Sequence, residues 1–174
     1  MKNQVYLGLG TNLGNKLENL TKTIDVLSQN VGIITSRSYI YQSEPWGFEA
    51  KDLFYNMVIE IETSFSPDRL LIEIQKIEKL IGRKVKTKVS YESRLIDIDI
   101  LLYGNEEVEK PSLKIPHLFN KERLFVLQPL LEVLNSNSIF KNEAKGKYIL
   151  TSVSFKLTKK NHQLNTLYLL NAYL

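Results

Sequence analysis

One run of eight residues constrains this chain more than any other: Leu95-Ile96-Asp97-Ile98-Asp99-Ile100-Leu101-Leu102. β-Branched isoleucine at every second position specifies a strand rather than a helix. Successive side chains of a strand point to opposite faces, so Asp97 and Asp99 are expected to share one face, and Ile96, Ile98, Ile100 and Leu102 the other. At ~3.3 Å of rise per residue the two carboxylates start about 7 Å apart. Like charges so placed repel unless a cation lies beside them, and hard oxygen donors in that arrangement suit Mg²⁺, whose shell is completed by water and substrate phosphates. The chemical reading is a two-metal phosphoryl-transfer site. The plainer reading is the solvated face of an edge strand, which spacing alone favours.

The segments around this strand define a layout. Gln4 to Gly8 reads as a strand that breaks into a glycine-rich turn, Gly8-Leu9-Gly10-Thr11-Asn12-Leu13-Gly14. A helix follows, with Leu13, Leu17, Leu20, Ile24 and Leu27 as its inward stripe and Asn15 with Glu18 as a capping box. Gly32 to Tyr41 and Phe54 to Thr63 read as strands that pair antiparallel. Ser66-Pro67 opens a second helix, whose stripe of Leu70, Ile74, Ile77 and Ile81 ends at Gly82. A basic loop (Lys84, Lys86, Lys88) leads to the Asp97–Asp99 strand. Short strands are expected within Val108 to Ile115 and a last helix within Arg123 to Leu134. The predicted fold is α+β, βαββαβ, with helices packed on one face of a largely antiparallel sheet and a carboxy-terminal extension. Residues 1–135 form the expected domain and 136–174 the extension.

Composition removes whole classes of chemistry. With no cysteine among 174 residues, disulfide scaffolds, thiolate metal sites and thiol nucleophiles are excluded. Two histidines, His117 and His162, are too few for a zinc site. No run approaches the ~18 apolar residues of a membrane span and no signal peptide is evident, so a cytoplasmic protein is expected. The net charge of +4 suits phosphate-bearing ligands but is too diffuse to point to nucleic acid. Gly8-x-Gly10 is not a dinucleotide fingerprint, because Leu13 occupies the third glycine position, and no P-loop motif occurs.

The company kept by Asp97 and Asp99 favours the chemical reading. Arg83, Arg94, His117 and Arg123 are each possible phosphate donors within about forty residues of the pair. Glu78 lies near the apolar stripe of its helix, where an unpaired carboxylate is costly, so it either edges the core or faces a site.

Taken together these residues resemble a known family, the 6-hydroxymethyl-7,8-dihydropterin pyrophosphokinases of folate biosynthesis. The blocks that carry the resemblance run from Tyr6 to Leu134: Gly8-Leu9-Gly10-Thr11-Asn12-Leu13-Gly14, Ser43-Glu44-Pro45-Trp46-Gly47, Phe54-Tyr55-Asn56, Ile77-Glu78 with Gly82-Arg83, Arg94-x-Ile96-Asp97-Ile98-Asp99-Ile100-Leu101, and Ile115-Pro116-His117. The resemblance implies a ferredoxin-like α+β fold and an ATP-dependent pyrophosphokinase that passes pyrophosphate from ATP, its co-substrate, to the pterin hydroxymethyl group and releases AMP. It further implies that Asp97 and Asp99 hold two Mg²⁺ ions and that Arg83 and Arg94 act with them in catalysis. Gln75, Glu78, Arg94, His117 and Arg123 would surround ATP. Phe54 and Phe125 would sandwich the pterin, with Ser43, Pro45, Trp46 and Asn56 at its edge. A monomer is expected, with small-molecule partners, no nucleic acid and no membrane. One departure stands out: Tyr91-Glu92-Ser93-Arg94 occupies the place of the family's common Trp-Gly-Pro-Arg, keeping the arginine. No counterpart is found after Asn135, where Tyr148 to Leu157 and Leu167 to Leu174 read only as β-rich runs.

A second class remains open from the residues themselves, a ferredoxin-like module stacking single-stranded RNA on its sheet. Against it, the aromatic signature of such sheets is absent and the paired aspartates would repel a phosphate backbone.

Overall fold

The computed structural model describes residues 2–83, 92–117, 123–134 and 168–170. In chain order its elements are β1 (Asn3–Thr11), α1 (Lys16–Asn30), β2 (Ile33–Arg37), β3 (Ile40–Ser43), β4 (Phe54–Thr63), α2 (Pro67–Ile81), β5 (Asp97–Tyr103), β6 (Val108–Lys110), β7 (Leu113–Ile115), α3 (Leu124–Val133) and β8 (Tyr168–Leu170). The main sheet runs β5-β1-β4-β3-β8, with β2 also paired to β4, and every pairing is antiparallel. β6 and β7 form a separate hairpin. The mixed α/β order and antiparallel sheet match the sequence expectation.

β1 and β4 are interior strands, buried on both faces. Val5, Leu7, Leu9, Met57, Ile59 and Ile61 join Leu20, Ile24 and Leu27 of α1 and Leu70, Ile74 and Ile77 of α2 in the larger core. On the other face, Tyr6, Val58, Leu101 and Leu102 pack with Leu130, Val133 and Leu134. The expected packing of helices on one face therefore holds for α1 and α2, whereas α3 covers the opposite face. The reason is burial: strands with apolar side chains in both alternating sets need two covering layers.

Helix termini follow their sequence signals. The Ser66 hydroxyl accepts from the Arg69 N–H at 3.4 Å, Pro67 opens α2, and Gly82 closes it at φ 108°, a left-handed conformation that glycine adopts without steric cost. The Asn15 side chain likewise accepts from the Glu18 N–H at 3.3 Å. Two assignments in the first stripe change: Leu13 precedes α1, and Leu17 is 38% exposed, leaving the inward face to Leu20, Thr23, Ile24 and Leu27.

Two strands depart from simple alternation. The run Gly32 to Tyr41 is broken at Ser38, which pairs with Val58 through both its backbone N–H (2.9 Å to the Val58 carbonyl) and its hydroxyl (2.9 Å from the Val58 N–H). In β5 the register against β1 shifts between Tyr6 and Leu7, so that Tyr6 faces Leu102 while Leu7 faces Ile100. This bulge turns Leu102 away from the Ile96–Ile98–Ile100 face and into the α3 core, correcting the expectation that all four share a side. The basic loop 84–91, including Tyr91, and the run Tyr148 to Leu157 lie outside the described residues. Of the Leu167 to Leu174 run, Tyr168–Leu170 pairs with β3. Among the described residues no helix is long and apolar enough to cross a membrane.

Candidate active site

Register places the chemistry. Gly10 of β1 is flanked by Asp97 on β5 and Asn56 on β4, and Gly8 by Asp99 and Val58. Cross-strand partners share a face, so the two carboxylates and Asn56 stand beside two positions that have no side chain. A Cβ at Gly10 would come within 3.4 Å of Asn56 Oδ1 and 4.0 Å of Asp97 Cβ, and one at Gly8 within 3.3 Å of the Leu101 side chain. Expected as a turn, these glycines instead sit inside β1 and form the floor of a cleft of about 630 Å³. The signal was available, since glycine within a strand interior marks close approach of backbone and ligand.

Arginines frame the carboxylates. Arg83, just past the α2 cap, contacts Glu78 and lies 2.7 Å from Asp97 Oδ1; Arg94 lies 2.7 Å from Asp97 Oδ2. Arg94 is buried and held in place by Asn12, whose Oδ1 accepts the Arg94 N–H at 2.8 Å and whose own N–H donates to the Arg94 carbonyl at 3.1 Å. Asn12 was not singled out from sequence, and only the fold brings these positions together. Glu78 both edges the core and faces the site, since its Oε1 also accepts the Ile98 N–H at 2.9 Å, on the edge of β5 away from β1. Burial pushes the Glu78 carboxyl up, against the pull of Arg83.

Asp99 carries the largest electrostatic burden. Burial and the adjacent Asp97 charge raise its pKa to about 7, although Arg123 and Arg94 oppose the shift. A carboxyl whose folded pKa lies above its unfolded value of about 3.9 binds its proton more tightly when folded. Its charge therefore destabilises the fold progressively as pH rises through that interval. Asp99→Asn is accordingly expected to stabilise the metal-free protein at pH 8 by roughly 1 to 3 kcal/mol, allowing for cleft water, and to have little effect near pH 4. Thermal melts in EDTA at the two pH values test this; equal shifts at both would refute it.

Aromatic side chains wall the cleft. Phe48 meets Phe54 edge-on, with ring centroids 6.1 Å apart at 86°. The Arg123 guanidinium lies 4.2 Å from the Trp46 ring centroid and 5.9 Å from that of Phe125. The Asn56 amide donates to Ser43 Oγ at 2.9 Å. Of the candidates, Ser43, Trp46, Phe54, Asn56, Arg94, Asp97, Asp99, Arg123 and Phe125 line one cleft. Phe48 joins them. Arg83 and Glu78 reach it through Asp97 and β5. His117 follows β7, its N–H donating to the Leu101 carbonyl at 3.1 Å, and burial beside Arg123 lowers its pKa, which favours the neutral imidazole. Gln75 stands on the exposed side of α2 and Pro45 on the rim loop, neither lining the cleft.

The donor set fits a hard divalent cation. Oxygen ligands predominate, burial and the neighbouring Asp97 charge raise the Asp99 carboxyl, and Arg83 and Arg94 pair with Asp97. Among the described residues no group of three or more His, Cys, Asp or Glu side chains is placed to hold a metal ion.

Comparison with known proteins adds an independent line. Residues 6–135 match the model of the 7,8-dihydro-6-hydroxymethylpterin-pyrophosphokinase (HPPK) family. The chain is 43% identical over 129 residues to the 2-amino-4-hydroxy-6-hydroxymethyldihydropteridine pyrophosphokinase of Aquifex aeolicus, covering 74% of this chain and 79% of that protein. It is 41% identical over 129 residues to the folic acid synthesis protein fol1 of Pneumocystis carinii, but spans only 17% of that longer protein. A crystal structure of HPPK-DHPS in complex with substrates superposes with a TM-score of 0.72 at 16% identity over 92% of this chain. That likeness concerns the fold, and the chain spans 45% of the solved chain.

Proposed function

The chain belongs to the 7,8-dihydro-6-hydroxymethylpterin-pyrophosphokinase family, and from that membership we propose that it transfers the β,γ-pyrophosphoryl group of ATP to the hydroxymethyl oxygen of 6-hydroxymethyl-7,8-dihydropterin in folate synthesis. The observation that carries the residue-level reading is the row Asp97–Gly10–Asn56, which sets a phosphate-handling carboxylate and a pterin-sized polar edge on either side of bare backbone.

In the reaction the bond from the pterin oxygen to the β-phosphorus forms as the bond from that phosphorus to the α,β-bridging oxygen breaks. AMP leaves with that oxygen and the hydroxyl proton passes to water. Asp97 and Asp99 would hold two Mg²⁺ ions, whose chemistry is to screen the triphosphate charge and lower the pKa of the attacking hydroxyl. Arg94, its backbone held by Asn12 and its Nε–H donating to the Glu92 carbonyl at 3.0 Å, presents an oriented guanidinium to phosphate oxygens at little further cost in entropy. Arg83 exchanges Asp97 for the triphosphate as substrate charge enters, and stabilises charge that develops during transfer. Arg123, spread over Trp46 and Phe125, meets the same triphosphate from the opposite wall, and neutral His117 donates to it; Glu78 and Gln75 border the nucleotide.

Phe54 and Phe125 sandwich the pterin ring. Asn56, with its amide hydrogens committed to Ser43 and to the Tyr41 carbonyl, turns Oδ1 toward the ring's donors, and Pro45 with the backbone near Trp46 closes its edge. Little covalent chemistry falls to the protein, which contributes orientation, charge and exclusion of water. Residues 1–135 are the catalytic unit, and residues 136–174 are assigned no catalytic role. The enzyme is read as a cytoplasmic monomer.

The test is incubation with ATP, Mg²⁺ and 6-hydroxymethyl-7,8-dihydropterin, with AMP and ADP resolved by chromatography. AMP formed only when pterin and metal are both present is the expected result. ADP instead, or AMP independent of pterin, would sink the proposal.

A further inference from the structure

We infer that Glu132 and Tyr41 are positioning residues that set the separation of the two walls of the pterin cleft, an inference that rests on the pterin reading above. Glu132 lies in the last turn of α3, on its exposed side. It nevertheless ties that helix, through both carboxylate oxygens, to β3 and to the residue that precedes it. Oε2 accepts the Tyr39 backbone N–H at 2.8 Å, and Oε1 accepts the Tyr41 hydroxyl. Tyr41 is 5% exposed, so its phenol is held within the protein rather than in bulk water.

The bonds continue into the cleft. The Tyr41 carbonyl accepts from Asn56 Nδ2 at 3.4 Å, and the same nitrogen donates to Ser43 Oγ at 2.9 Å. A connected set of hydrogen bonds thus runs from α3 through Tyr41 to Asn56 and Ser43, the two polar side chains at the cleft edge. α3 carries Phe125 in its first turn and follows directly on Arg123. One wall, Arg123 and Phe125, is therefore fastened to the other, Ser43, Asn56 and Phe54, at the far end of the helix from the ligand.

Two aromatic rings can sandwich a third only at van der Waals separation, and a gap of 0.5–1 Å already forfeits a quarter to a half of that attraction. A helix released at its distal end pivots about its apolar contacts with Tyr6, Val58 and Leu101, moving the Phe125 wall by such distances. Charge-assisted hydrogen bonds to a carboxylate are strong enough to resist that movement. The loss should appear chiefly in pterin affinity, because Asp97, Asp99 and Arg94 are held by β5, β1 and Asn12, and Arg123 is the one triphosphate contact of the proposed set that sits at the start of this helix.

The experiment uses the full chain as wild type, Glu132→Ala, Glu132→Gln, Tyr41→Phe and the Glu132→Ala/Tyr41→Phe double variant. The Michaelis constants for 6-hydroxymethyl-7,8-dihydropterin and for ATP, kcat and the thermal midpoint are measured for each. Glu132→Ala and Tyr41→Phe should each raise the pterin constant about fivefold to tenfold, with kcat within about twofold of wild type and the ATP constant, which feels the movement only through Arg123, raised by no more than about threefold. The double variant should be no worse than Glu132→Ala alone, because both changes cut the same tie. Glu132→Gln, which keeps one acceptor oxygen, should fall between. A lowered midpoint with an unmoved pterin constant, or equal rises in both constants, would overturn the positioning role while leaving the pterin reading intact. A wild-type protein that makes no AMP from pterin would overturn that reading and this inference together. If Glu132→Ala fails to fold, Tyr41→Phe, which keeps the buried ring, decides by itself.

Discussion

Asp97→Asn is expected to lower kcat by roughly 10³-fold or more while leaving pterin affinity within a few-fold of wild type. Asp97 is where three demands meet: it accepts Arg83 and Arg94 at 2.7 Å each, and it stands beside Asp99 on the cleft floor. The amide keeps the shape but halves the acceptor capacity, removes the charge that would hold a metal ion, and turns N–H groups toward an arginine. Pterin contacts come from Asn56, Ser43 and the aromatic walls, so they should survive. AMP release at saturating ATP, pterin and Mg²⁺ measures the first effect, and pterin fluorescence titration the second. Turnover within about tenfold of wild type would show that Asp97 is not the metal-holding carboxylate. The same variant separates the enzyme from an RNA-binding reading, in which removing a negative charge would strengthen binding.

Gly32→Ala should be the most damaging single change to the fold, costing roughly 3 kcal/mol or more. A Cβ at residue 32 would stand 2.1 Å from the Glu62 carbonyl oxygen, 3.0 Å from its carbon and 3.2 Å from Thr63 Cα. All three are backbone atoms of β4, the strand that pairs with β1, β2 and β3, so no side chain can swing aside. The approach is held in place by Thr63 Oγ1, which donates to the Val31 carbonyl at 2.7 Å, and by the Ile33–Glu62 pairing. Urea titration should show a lower midpoint at unchanged slope, and the melting temperature should fall by roughly 6 to 12 °C. A shift below about 2 °C would mean that β2 and β4 separate without penalty. Gly32 is remote from the cleft, so kcat per folded molecule should be unaffected.

These positions show unequal legibility. Ser66, Pro67 and Gly82 bound α2 where the sequence puts its ends, because caps and left-handed turns are local chemistry. Asp97 and Asp99 fall on one face because the period of a strand is local as well. Leu102 does not follow, since the bulge opposite Tyr6 and Leu7 depends on a strand some ninety residues earlier. Gly8 and Gly10 read as a turn from their composition, yet continue β1, because β4 and β5 supply pairing on both sides. Gln75 and Glu78 sit three residues apart, and only packing decides that Glu78 turns inward to Ile98 while Gln75 remains in solvent.

What the amino-acid sequence by itself determined is the kind of chain this is: its alternation of strand and helix periods, its helix termini, its two carboxylates on one face and the family blocks from Tyr6 to Leu134. Each of these rests on interactions within a few residues, or on residue identities that need no geometry. Only the tertiary structure decided that α3 covers the second face, that Asn12 holds Arg94, that Asn56 and Asp97 flank Gly10, and that Glu132 reaches Tyr41. The last three of these join positions 46 to 91 residues apart, where side-chain identity says what a group can bond to and burial of the apolar faces selects which partner it meets.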